Sequence, residues 1–179
     1  SSPGAGKTSL LEKTILALKD KINISVIEGD IETDKDAVRI AALGIPVVQI
    51  NTGGACHLDA NMIMEALPDI PLENTRLLFI ENVGNLVCPA EFDLGEHEKI
   101  TILSIAEGDD KPLKYPLMFQ ESAVLVLNKI DLLPYVDCSV ERIKEDVKKL
   151  NPKIKIFEVS CRTNFGLAQW YDWLVSKTS

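Results

Sequence analysis

A chain of 179 residues with 46% apolar side chains is long enough for one well-filled core and too apolar to stay disordered. Its formal net charge of -8 opposes nucleic acid and anionic membrane surfaces, so a phosphate-bearing ligand has to be held by a local device. Cys56, Cys88, Cys138 and Cys161 form no short pair, no apolar run reaches the length of a membrane span and no signal peptide is visible, so a reduced cytoplasmic protein is expected.

In chain order, residues 7–19 carry Leu10, Leu11, Ile15, Leu16 and Leu18 at helical spacing and predict a helix with a broad buried face. Residues 22–28 read as a strand. Thr33 is placed to cap a second helix that Gly44 stops, and residues 46–50 read as another short strand. A helix is expected over 58–67, with strands over 76–80, 100–106 and 123–128. A helix over 140–150, a strand over 155–159 and a closing helix over 167–175 follow. Strands that alternate with helices and are apolar throughout imply a mostly parallel sheet covered on both faces. The fold expected is therefore α/β, a three-layer P-loop NTPase domain over residues 1–179. In that fold a buried strand leads into the phosphate loop, yet the loop here begins at residue 1. The sequence thus predicts an N-terminal truncation that has removed the first strand, and an isolated fragment prone to associate through unpaired backbone.

Residues 1–8, SSPGAGKT, match the phosphate-loop pattern G-x-x-x-x-G-K-[ST], with Ser1 where the first Gly is usual. Gly4 and Gly6 let successive N–H groups turn toward one anion, and the following helix offers its positive end. Gly4, Ala5, Gly6, Lys7, Thr8 and Ser9 are the candidate nucleotide contacts. Lys7 reaches for the β and γ phosphates, and the Thr8 hydroxyl is a candidate Mg²⁺ ligand. Residues 128–131, NKID, end an apolar strand on the ligand-binding edge of such a sheet. Asp131 can accept two N–H groups from guanine, whereas adenine would leave a lone pair facing the carboxylate, so GTP is favoured over ATP. Asn128 is expected to tie this loop to the phosphate loop, and Lys129 to pack its stem along the base. Ser160, Cys161 and Arg162, after the next strand, suit the remaining base contact.

Glu81 and Gly84 stand where GTPases place an acid that orients the Mg²⁺ shell and a Gly that senses the γ-phosphate. Asp30 and Asp36 are candidates for Mg²⁺ or water orientation, so Lys7, Asp30 and Asp36 are the candidate catalytic groups and Thr8, Asp30 and Glu81 the candidate magnesium ligands. Helix capping also accounts for Asp36, and suits it better than Asp30. Asn85, not Gln, follows Gly84, which predicts slow intrinsic hydrolysis. Cys56, His57 and Cys88 all fall beyond the carboxyl ends of parallel strands, where two thiolates and an imidazole suit Zn²⁺ or Ni²⁺. The same three residues also fit a small buried Cys, a His at a helix start and a Cys before Pro89. Three ligands leave an open position, a water, or ligands shared across a dimer.

Together, residues 1–11, 26–30, 51–60, 81–96, 127–136 and 160–167 resemble the HypB family of hydrogenase-maturation, nickel-incorporation GTPases, in the SIMIBI class of P-loop proteins. The resemblance spans nearly the whole chain, and the Cys-His segment combined with ENVGNLVCP is its most specific part. It implies a GTP-dependent homodimer that helps load nickel into [NiFe]-hydrogenase precursors alongside other nickel-delivery accessory proteins. It further implies zinc or nickel at Cys56, His57 and Cys88, and dimerisation through Leu132 and Val136. The apolar run of residues 132–136 also fits local core packing. A urease-type accessory GTPase is disfavoured, because Ala90 follows Cys88-Pro89 where that family is expected to have His. A nucleotide-dependent scaffold with a purely structural metal site is the alternative from another class.

Overall fold

The computed structural model describes residues 1–31 and 35–178. Helix α1 (Lys7–Leu18) follows the opening loop, then strand β1 (Ile24–Asp30), helix α2 (Lys35–Ala41) and strand β2 (Val47–Asn51). Helix α3 (Ala60–Ala66) leads through a 3₁₀ turn to strand β3 (Leu77–Glu81), the short helix α4 (Cys88–Glu91) and strand β4 (Ile100–Ser104). Helices α5 (Lys111–Lys114) and α6 (Pro116–Glu121) precede strand β5 (Val124–Asn128), helix α7 (Val140–Leu150), strand β6 (Lys155–Glu158) and helix α8 (Leu167–Lys177). The expected Thr33 cap lies outside the described residues.

The α/β alternation and the parallel strands agree with the sequence. The reason the strands are apolar throughout is visible in β5. Val124 and Val126 pack with α1 and α8 on one face, while Leu125 and Leu127 pack with α6 and α7 on the other. Strand β1 divides the same way, Val26 toward α1 and Ile27 toward Leu58 and α3. Helix α8 is fastened to α1 by the buried Trp170, whose indole N–H donates to the Thr14 hydroxyl at 2.9 Å. No helix among the described residues is long and apolar enough to cross a membrane.

Two features differ from the sequence expectation. Helices α4, α5 and α6, which contain Pro89, Pro112 and Pro116, were not anticipated from the sequence. Each proline in fact sits in the first turn of its helix, where a missing N–H costs nothing. The expected single sheet is also divided among the described residues into two parallel three-stranded sheets, ordered β2-β1-β3 and β4-β5-β6. Between them lies a cavity of about 840 Å³ lined by Leu77 and Phe79 of β3, Ile100 and Ile102 of β4, Leu10 of α1 and Trp173 of α8. Among the described residues β3 and β4 are not paired with each other, and residues of both strands line this cavity.

Candidate nucleotide and metal sites

Gly6 caps α1 in the left-handed region at φ 96°, a conformation that L side chains rarely adopt. A Cβ there would lie 2.4 Å from the Asn128 side-chain nitrogen, so glycine is required by crowding as well as by backbone angle. The crowding has a purpose. Asn128, at the end of β5 and 1% exposed, donates from Nδ2 to the Ala5 carbonyl at 3.0 Å, tying the NKID loop to the phosphate loop as the sequence suggested. Lys129 takes a left-handed φ of 63°, and its ammonium donates to the Gly4 carbonyl at 2.7 Å. It therefore braces the phosphate loop, a role the sequence reading had not given it. The Ser160 hydroxyl donates to Asp131 Oδ1 at 2.6 Å, which joins the NKID loop to the Ser160-Cys161-Arg162 segment. Burial pushes the Cys161 thiol above its ordinary range.

The Thr8 hydroxyl lies 3.0 Å from both Asp36 Oδ2 and Glu81 Oε1, and its one proton serves one of them at a time. Asp36 occupies the first turn of α2, and its second oxygen pairs with Arg39 at 2.9 Å. It reaches Thr8 as well as sitting in the capping region, so the two sequence readings of Asp36 are compatible. Arg39 is itself shared with Glu12 at 2.8 Å. Burial raises the Glu81 pKa, and its Oε2 has no hydrogen-bond partner among the described residues.

The sequence reading missed Glu28. Glu28 and Asp30 are two residues apart on β1 and so point to the same side of the strand, and Glu28 stands in register with Glu81 on β3. Burial, with the neighbouring carboxylates of Glu81, Asp30 and Asp36, raises the Glu28 pKa from 4.5 to about 7. The available signal was a charged residue inside the apolar run of β1. Thr8, Glu28, Asp30, Asp36 and Glu81 thus gather oxygen donors only, a set that fits a hard divalent cation such as Mg²⁺.

The third group is of opposite chemistry. Cys56 and His57 come from the loop between β2 and α3, while Cys88 is the first residue of α4. Cys56 Sγ lies 2.7 Å from Cys88 Sγ and 3.6 Å from His57 Nδ1, and one ligand atom from each residue falls within 4.8 Å of the others. All three are half-buried. The adjacent Cys56 sulfur is the main cause of a raised Cys88 pKa, and the Asn85 amide donates to Cys88 Sγ at 3.4 Å, which opposes it. The His57 ring stacks on Phe92 with centroids 3.9 Å apart, so its plane is fixed. Two sulfurs and an imidazole nitrogen suit Zn²⁺ or Ni²⁺ and leave at least one position open.

The segment from Glu81 to Cys88 joins the two groups. A Cβ on Gly84 would meet the Pro3 backbone nitrogen at 3.0 Å, so this loop rests directly on the phosphate loop. Asn82 Oδ1 accepts from the Leu58 N–H at 3.0 Å and from the Val83 N–H at 2.8 Å, anchoring the residue after His57. The segment proposed for dimerisation is placed less simply. It forms a 3₁₀ helix (Ile130–Tyr135) rather than an open loop, with Leu132, Leu133 and Val136 half-buried against the α6–α7 core and Tyr135 82% exposed.

A family model described as CobW/HypB/UreG, nucleotide-binding domain, matches residues 1–158. The chain is 53% identical over 174 residues to the hydrogenase maturation factor HypB of Escherichia coli strain K12, an alignment covering 97% of this chain and 60% of that protein. It therefore spans about 60% of the length of such curated relatives. A crystal structure of HypB from Helicobacter pylori in complex with nickel is 42% identical with a TM-score of 0.94, over 99% of this chain and 84% of that one. The hydrogenase maturation factor HypB of Archaeoglobus fulgidus is 39% identical with a TM-score of 0.93, over 100% and 87% respectively.

Proposed function

The chain belongs to the CobW/HypB/UreG family of nucleotide-binding domains, on its HypB branch, and from that premise we propose that it is a GTP-hydrolysing metallochaperone domain that assists nickel insertion into [NiFe]-hydrogenase precursors. The observation that supports this reading best is the Glu81–Cys88 connection, which contacts the phosphate loop through Gly84 and Pro3 and carries a thiol ligand at its far end.

In this reading Gly4, Ala5, Gly6, Lys7, Thr8 and Ser9 hold the phosphates, and Asp131, with Ser160, Cys161 and Arg162, reads guanine. Bound Mg²⁺ would neutralise phosphate charge, and Thr8, Asp30 and Glu81 with Asp36 are the residues to hold it. Lys7 stabilises developing charge, while Asp30 and Asp36 orient water. Asn85 in the place of a Gln keeps hydrolysis slow until a partner surface completes the site. Cys56, His57 and Cys88 hold Ni²⁺ or Zn²⁺ through an incomplete ligand set that permits release. GTP-dependent homodimerisation through the segment containing Leu132 and Val136, in the cytoplasm, completes the cycle with the hydrogenase large-subunit precursor and other nickel-delivery proteins.

The coupling is testable by measuring nickel affinity with GDP and with a nonhydrolysable GTP analogue. Ordering of the Glu81 loop by the γ-phosphate is expected to move Cys88 relative to Cys56 and His57 and change the affinity. Equal affinities would remove the coupling. Nickel transfer to a hydrogenase precursor, compared between wild type, Cys56→Ala and Asp131→Asn, tests the delivery role itself.

A further inference from the structure

Resting on the reading of Cys56, His57 and Cys88 as a nickel or zinc group, we propose that Asn85 is its positioning residue, whose amide donates to the Cys88 sulfur and holds it toward Cys56 and His57. Asn85 Nδ2 lies 3.4 Å from Cys88 Sγ, and the Val87 N–H donates to Asn85 Oδ1 at 2.8 Å. A backbone N–H can only donate, so it fixes Oδ1 on its own side and leaves Nδ2, the donor end, for the sulfur. Of the three ligands, His57 has its ring plane set by stacking on Phe92, and Cys88 has its sulfur set by Asn85.

The segment is built to keep this contact. Val83, Leu86 and Ala90 are buried, so the chain is anchored on both sides of Asn85, which is itself half-buried. Leu86 and Ala90 pack into the α6–α7 core, while Val87 between them is exposed. Cys88 opens a helix of only four residues, which has little rigidity of its own, so side-chain contacts set the direction of its first residue. An N–H donor draws electron density from a metal-bound thiolate and restrains its direction, which is how groups outside a ligand set tune affinity. Gly84, the residue before, rests on Pro3 of the phosphate loop, so Asn85 stands where the nucleotide side of the segment meets the metal side. An amide engaged at both ends by Val87 and Cys88 serves the metal group, whereas a Gln at this place would be expected to orient water.

The test is the sulfur-to-metal charge-transfer absorption of the full chain titrated with Ni²⁺, with the affinity taken from the same titration. Asn85→Ser keeps a hydroxyl that can accept from the Val87 N–H but is too short to reach the sulfur, and Asn85→Ala removes both bonds. In both variants the absorption is expected at longer wavelength than in the wild type, because the thiolate lone pair loses its donor, with nickel affinity lowered about tenfold. The shift reads the bond to sulfur itself, which a loss of loop stability alone would not move. Unshifted absorption in both variants, or a shift confined to one of them, overturns the inference. Cys88→Ala separates this outcome from failure of the premise. No such absorption in the wild type, or one that Cys88→Ala leaves unchanged, sinks the metal reading and the inference with it. Absorption that Cys88→Ala diminishes and the Asn85 variants leave unshifted sinks the inference alone.

Discussion

Two clusters at the same rim of the molecule differ in almost every physical respect. The Thr8–Glu28–Asp30–Asp36–Glu81 group offers only oxygen donors, with Thr8, Glu28 and Glu81 buried, and braces itself through Thr8 and Arg39. The Cys56–His57–Cys88 group is half-buried, offers sulfur and nitrogen, and is held by a loop and the first turn of a four-residue helix. The difference shows that one rim can present two donor sets of opposite chemistry. In the proposed function donor hardness would sort the ions, and the Glu81–Cys88 segment is the proposed link between the two groups.

The sharpest way to break this contrast is to remove a soft ligand. Cys88→Ala is expected to lower nickel affinity by about a hundredfold or more while Mg²⁺-dependent GDP binding stays within about twofold, both read by titration calorimetry. A matching loss of GDP binding would mean the clusters are one site. Metal removal sharpens the same point: a delivery site leaves the melting temperature nearly unchanged, whereas a structural site lowers it and favours the scaffold alternative.

On the oxygen side, Gly6→Ala forces a left-handed alanine into Asn128 and is expected to weaken GDP binding roughly tenfold to a hundredfold, with nickel affinity in nucleotide-free protein unaffected. Wild-type GDP affinity would show that the Asn128 tie to the phosphate loop is dispensable. The connection between the clusters is tested by Asn82→Ala, which leaves the Leu58 and Val83 N–H groups without their acceptor and is expected to cost about 1–2 kcal/mol in denaturant unfolding. It is also expected to shrink the difference in nickel affinity between GDP and GTP-analogue states. An undiminished difference would exclude Asn82 from the link. The smallest effect belongs to Tyr135, 82% exposed: Tyr135→Ala is expected to change monomer stability by less than about 0.5 kcal/mol and to weaken any GTP-dependent self-association seen by sedimentation.

How much of this was legible beforehand depends on whether a feature is local. The phosphate loop, NKID and the helix–strand alternation were readable because glycines at defined offsets, a strand ending in polar residues and continuous apolar runs are properties of neighbouring residues. The tie from Asn128 to the phosphate loop and the placing of Cys56, His57 and Cys88 on one side were also anticipated, since parallel strands deliver their carboxyl ends to one rim. Glu28 was passed over because its meaning depends on Glu81, distant in sequence, and on the turn of chain that brings Asp36 back against β1. The short helices that contain Pro89, Pro112 and Pro116 were passed over because so few residues show no helical period, and only the path of the chain puts each proline in a first turn.

The sequence by itself determined the layered parallel architecture, the nucleotide loops and the two donor chemistries, because side-chain type and short-range spacing fix those. Tertiary structure alone decided that Lys129 braces the phosphate loop, that Leu132 and Val136 turn partly into the core, and that Glu28, Asp30 and Asp36 converge while Glu81 meets Asp36 at the Thr8 hydroxyl. Each of these results from chain segments distant in sequence being packed to within a few ångströms, where burial and neighbouring charge, rather than residue type, set what a side chain does.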